Sequence, residues 1–123
     1  MYQGGTGGIF GSMDERQRAL NAAHAAADRF LDGLDDRPVW PRAGIDEMLE
    51  ALGGPLPQDG LDAEELITEL ALKADPGLVA IPGGRFFGFV IGGTLPAALA
   101  ADWLVSTWDQ NSGSTTPTPA VAA

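Results

Sequence analysis

Charge is divided along this chain in a way that limits what its second half can fold into alone. From Phe86 to Ala123, 38 residues carry only two charges, Asp102 and Asp109, whereas Met13 to Asp75 holds the other fifteen acidic residues. The uncharged part opens with a dense aromatic run, Arg85-Phe86-Phe87-Gly88-Phe89-Val90-Ile91. It turns through Gly92-Gly93-Thr94 and continues as Leu95-Pro96-Ala97-Ala98-Leu99-Ala100-Ala101-Asp102-Trp103-Leu104. Apolar surface of that extent is stable only when something covers it. The sequence therefore predicts a piece of a larger assembly.

The acidic part reads as helices. Leu20, Ala23, Ala27, Phe30 and Leu34 recur at spacings of three and four, a single narrow stripe that begins near Asp14. Gly33 weakens that helix and Asp35-Asp36-Arg37-Pro38 stops it. Val39-Trp40-Pro41 is an extended link, because proline disfavours helix at the residue before it. A short helix over 45–52 follows, with Ile45, Met48, Leu49 and Leu52 on one face and Gly53-Gly54-Pro55 at its end. Asp62-Ala63-Glu64-Glu65 has the form of a capping box opening a third helix, which carries Leu66, Ile67, Leu70 and Leu72 to about Asp75-Pro76-Gly77. Leu78 to Ile81 and Arg85 to Ile91 read as extended segments separated by Pro82-Gly83-Gly84. Thr94 is the expected N-cap of a last long helix reaching about Trp108, with Pro96 in its first turn. A further helix is expected to start at Thr118-Pro119. The fold class expected is mainly α, with one short extended aromatic segment at about 85–91. Residues 1–12, rich in glycine, read as a flexible leader; 13–92 and 93–123 read as two segments.

Charge and composition exclude several functions. A net charge of −10 argues against nucleic acid, since phosphate contacts need Lys and Arg, and equally against an anionic membrane surface. Glycines, Pro96 and Asp102 interrupt the apolar run over 86–105, so no membrane span is expected. With no cysteine there is no disulfide, thiolate metal site or cysteine nucleophile. Lacking a basic, apolar leader, the chain is expected in the cytoplasm.

Candidate chemistry is thin. His24, the only histidine, lies among alanines with no carboxylate expected to orient it, and reads as a solvated or packing residue. Lys73, the only lysine, lacks the desolvated or cationic setting that activates an amine. Asp46, Glu47 and Glu50, and likewise Glu64, Glu65 and Glu69, sit opposite leucines at helical spacing and read as wet faces, not as metal ligands. Gly4-Gly5-Thr6-Gly7-Gly8 lacks the Lys-Ser/Thr ending of a phosphate loop. Gly92-Gly93-Thr94 stands between an expected strand and a helix, where an anion can bind, but lacks GxGxxG spacing. No catalytic, cofactor-binding or metal-ligating residue is expected in these residues.

The run from Arg85 to Leu104, followed by Trp108-Asp109-Gln110-Asn111, resembles the N-terminal region of the group II pyridoxal-phosphate-dependent decarboxylases, which include the aromatic-L-amino-acid and glutamate decarboxylases. Val39-Trp40-Pro41, Leu56-Pro57 and Gly60-Leu61-Asp62 fit the same region more loosely. The resemblance covers about residues 14–123 and is most specific over 85–119. It implies the N-terminal helical segment of a fold-type I enzyme without a complete cofactor domain: a dimerisation segment over 13–92 and the start of the large pyridoxal-phosphate domain over 93–123. It further implies a homodimer with a second copy, and a C-terminal body beyond these residues. The segment Phe89, Val90, Ile91 and Gly92 would border the substrate side of the active site. The loop from Asn111 to Thr116, with Asn111 and Gly113 facing substrate, would approach the neighbouring subunit's site. The family's Schiff-base lysine, its aspartate to the pyridine nitrogen and its stacking histidine all fall downstream of Ala123. This chain would thus bind no cofactor covalently and be inactive alone. The departures are Gly83-Gly84 where relatives often carry His-Pro or Ser-Pro, Gly92 where some carry a substrate-bonding side chain, and the polar Ser114-Thr115-Thr116-Pro117. Two readings compete: a small helical module that dimerises through its aromatic end without catalysis, and an independent enzyme using the carboxylate helices.

Overall fold

In the computed structural model, which describes residues 13–110 and residue 120, the chain is mainly helical, with no strand among the described residues. The helices are α1 (Met13–Asp32), α2 (Ile45–Leu52), α3 (Ala63–Ala74) and α4 (Pro96–Trp108), with a 3-10 turn over Asp75–Gly77 extending α3. The chain divides into two compact units between Gly92 and Gly93.

The first unit is organised by α3, which packs against both α1 and α2. Its start is fixed by Asp62, whose Oδ1 accepts the backbone N–H groups of Glu64 and Glu65 at 3.0 and 3.1 Å. The expected return bond from Glu65 is not made; the other oxygen of Asp62 instead takes Arg18 of α1 at 2.9 Å. Arg18 also donates to Glu64 at 2.9 Å and to Asp14, so one guanidinium ties the N-terminal ends of α1 and α3 together. α2 starts where the Glu47 carboxylate accepts the Gly44 N–H at 2.8 Å. Met48 and Ala51 turn toward the unit while Ile45, Leu49 and Leu52 stay exposed. A Cβ on Gly77 would lie 2.6 Å from the Met48 sulfur, so a side chain there would make Met48 shift.

The C-terminal ends meet at a second, denser junction. Asp75 accepts Arg37 at 2.8 Å and Arg42 at 2.7 Å, bringing the link after α1 onto the end of α3. The Pro76 carbonyl accepts the N–H groups of Arg42 and Ala43, at 2.7 and 2.9 Å. Ala80 donates to the Val39 carbonyl at 2.9 Å. The Arg37 guanidinium lies 4.3 Å over the Phe30 ring. Arg85 closes the junction from the other side, donating to the carbonyls of Leu34 and Arg37 at 3.0 and 2.7 Å. Beneath these bonds lie the buried hydrophobic residues among those described, Ala80 and Phe86, with Phe86 edge-on to Trp40 at 6.1 Å between ring centres.

Three expectations are corrected here. Arg85 to Ile91 is not an extended segment but a succession of turns. A strand exists only by bonding to a neighbour, and among the described residues no other segment lies alongside this one as a strand. Leu20 is half exposed, so of the expected α1 stripe it is Ala23, Ala27, Phe30 and Leu34 that are part-buried, together with Ala19, Ala22 and Ala26. Thr94 is not the N-cap of α4.

That last point concerns the second unit, described by itself. Leu95 caps α4 without a side-chain bond, and its carbonyl accepts the Ala98 and Leu99 N–H groups at 2.9 and 3.1 Å. Pro96 decides the position: its ring suits the first helical residue and forces the residue before it to be extended. The helix ends at Asp109, which adopts a left-handed conformation with φ of 47°. Trp103, Leu104, Val105 and Trp108 remain exposed to differing degrees.

Candidate functional site

Of the residues expected to border a substrate, Phe89, Val90, Ile91 and Gly92 are described, whereas Asn111 and Gly113 lie outside the described residues. The four described residues form one turn and its exit. The Gly88 carbonyl accepts the Ile91 N–H at 3.3 Å, and the two residues between them, Phe89 and Val90, both have φ of 55°. Positive φ at both central positions makes this a type I′ turn, which glycine and asparagine normally occupy. A phenylalanine and a β-branched valine there are strained, because Cβ crowds the carbonyl oxygen.

What this turn presents is almost wholly apolar. Phe87 is 92% exposed and Val90 is fully so, with Phe89 and Ile91 also open to water. Phe86 is the exception: it turns into the junction, and its ring packs so closely under Gly88 that a Cβ there would lie 2.7 Å from Cζ. Phe86 is thus the root of the turn and Phe87 to Ile91 its tip. No titratable side chain stands between Arg85 and Asp102, and Arg85 is committed to two backbone carbonyls. The tip can shape a pocket and exclude water, but can move no proton and ligate no metal.

The remaining candidates are also placed by the structure. His24 has a partner after all: its Nδ1 lies 3.3 Å from Asp28 Oδ2, one helical turn on, with both side chains largely exposed. The sequence signal was the i, i+4 spacing on α1. Lys73 pairs with Glu69 by the same spacing and is half exposed. That watery, anionic setting does not fit a Schiff-base lysine, which needs desolvation or a cationic neighbour. Among the described residues no three acidic or histidine side chains gather into a metal site. The Gly92-Gly93-Thr94 corner follows a turn and not a strand, and Gly4 to Gly8 lies outside the described residues.

Two carboxylates are held below the usual range. The Glu65 N–H stabilises the ionised Asp62 most, aided by Arg18 and the Glu64 N–H against a contrary push from desolvation. At Asp75 desolvation pushes upward, but the bonds and charges of Arg37 and then Arg42 outweigh it. Arg18 is raised, chiefly by its hydrogen bond to Asp62 and the charge of Asp14. These groups fasten elements to one another.

Comparison with protein-family models, curated proteins and solved structures finds no match to this chain. No helix among the described residues is long and apolar enough to cross a membrane.

Proposed function

We propose that this chain is the N-terminal part of a pyridoxal-phosphate-dependent amino-acid decarboxylase, supplying dimer contacts and one wall of the substrate pocket. The observation that carries the reading is the Gly88–Ile91 turn. It presents aromatic and aliphatic side chains to water, on a strained backbone, within the stretch whose sequence resembles that family. Strain of this kind persists where the surrounding fold holds it in place, and it concentrates at ligand clamps.

The residues of this chain do not fit the cofactor itself. Lys73 is the only lysine and is salt-bridged in water, so a cofactor-bearing lysine belongs to another part of the parent. The role left to this chain is steric and hydrophobic. The tip orients substrate by shape and keeps water from the reacting carbon, while the cofactor, when bound elsewhere, supplies the electron sink.

The test is to isolate the native product through this segment, reduce it with borohydride and locate the pyridoxyl-lysine. The expected outcome is a labelled lysine outside residues 1–123. Labelling at Lys73, or no label, contradicts the reading.

A second reading, a small helical module that dimerises without catalysis, draws on the first unit alone. Arginine–carboxylate bonds join α1 to α3 at the N-terminal ends of both helices and the segment after α1 to the end of α3, which a self-sufficient module would need. It requires a native product that carries no pyridoxal phosphate.

A further inference from the structure

The Gly88–Ile91 turn holds Phe89 and Val90 at positive φ, and strain of that kind needs neighbours that hold it in place. The tip does not supply them. Its side chains lie open to water, and among the described residues its one hydrogen bond is its own closure, the Ile91 N–H to the Gly88 carbonyl. The backbone on either side is no restraint, because Gly83-Gly84 leads in and Gly92-Gly93 leads out. At Gly84 and Gly92 a Cβ would meet nothing within 4 Å. The hold falls to the two side chains between the leading glycines and the tip, Arg85 and Phe86.

These two act differently. The Phe86 ring is buried under Gly88, with Trp40 edge-on to it, and fixes where the turn starts. A single buried ring is a pivot about which the chain can still swing. Arg85 supplies the second fixed point. Its Nη2 donates to the carbonyls of Leu34 and Arg37 at 3.0 and 2.7 Å, tying the root of the tip to the link that follows α1. Both bonds are exposed, so water can take over the carbonyls when the guanidinium is removed. The same link stays fastened without Arg85, by the Ala80 N–H to the Val39 carbonyl and by Arg37 and Arg42 to Asp75. Two points define a direction, and Arg85 is the one that the fold can lose.

We propose that Arg85 is a positioning residue: by gripping the Leu34 and Arg37 carbonyls it sets the direction of the tip, and so the placement of the apolar wall against substrate. Its part in the reaction rests on the substrate-wall reading given above; its hold on the turn does not.

The test reads the turn directly. At positive φ the amide and Cα hydrogens of one residue are nearly eclipsed, so the nuclear Overhauser effect between them should be strong at Phe89 and Val90 of the unsubstituted 123-residue chain. Arg85→Gln should weaken both to the level of residues at negative φ. Arg85→Lys, which keeps a charged donor, should leave them strong, and circular dichroism should be unchanged in both variants. Strong effects in Arg85→Gln, the same loss in Arg85→Lys, or a fall in helicity overturns the proposal, the last because Arg85 would then serve the fold and not the tip. In the native full-length product, carbon dioxide release is measured from each common amino acid in turn. Arg85→Gln should lower kcat on the best of them about tenfold or more, with the pyridoxyl-lysine still formed, since a small misplacement of a positioning group is costly. An unchanged kcat overturns the positioning role and leaves the decarboxylase reading standing. Absence of the pyridoxyl-lysine from the unsubstituted product overturns that reading and leaves Arg85 its hold on the turn.

Discussion

Phe86 and Phe87 are neighbours in sequence with opposite physical roles. Phe86 is 7% exposed, packed under Gly88 and against Trp40, inside a junction fastened by Arg37, Arg42, Asp75 and Arg85. Phe87 opens a tip that no side chain of the first unit covers. The junction is what folding of this unit requires, and the tip is what it leaves over. Composition treats the two alike; only placement separates a residue that stabilises the chain from one left open to water.

The comparison can be broken most easily at its root. Phe86→Ala should cost about 3 kcal/mol of unfolding free energy in urea denaturation, the usual loss for a buried aromatic. Phe87→Ala should stay within about 0.5 kcal/mol. Equal effects would mean the two residues are not divided in this way.

Asp75→Ala should follow, at about 2 kcal/mol, because it strands the mostly buried Arg37 guanidinium; the partial exposure of Asp75 keeps the figure below that of a fully buried pair. Acid should do the same without mutation. The folded-state carboxyl of Asp75 is held below its ordinary value, so its contribution is complete above about pH 5 and is lost as pH falls below about 4, through the folded value. Denaturation at pH 7 and pH 3 should thus differ less in Asp75→Ala than in the parent chain. An unchanged difference would remove Asp75 from the account.

The smallest effect has the opposite sign. Val90→Gly should raise stability by about 1 kcal/mol, because glycine adopts the left-handed conformation without the Cβ clash. A loss of similar size would show that Val90 packs where the fold leaves it open.

The helices of the first unit were legible because their signals are local. Ile45 to Leu52 stands between Pro41 and Gly53-Gly54, and Asp62 announces α3 by side-chain chemistry with its own next turn. The end of α4 at Trp108 was legible too, but its start shifted by one residue because Pro96 outranks the hydroxyl of Thr94. The aromatic segment was misread because β propensity states what a side chain prefers once a neighbouring strand exists. The pairing of Arg37 with Asp75, 38 residues apart, had no local signature. Three arginines beside Pro38, Pro41 and Pro82-Gly83-Gly84, in a chain so poor in cations, were the available hint. The candidate site was legible as an apolar stretch but not as a tip, since Phe86 and Phe87 are chemically identical.

The central claim is that the exposed apolar surface of this chain is covered by a larger body. It is tested most directly by the mass of the native product in its source cells, detected by immunoblot against this segment. The account predicts a band several times larger than 12.7 kDa. A band at 12.7 kDa would contradict it and leave the dimerising module as the function of the chain.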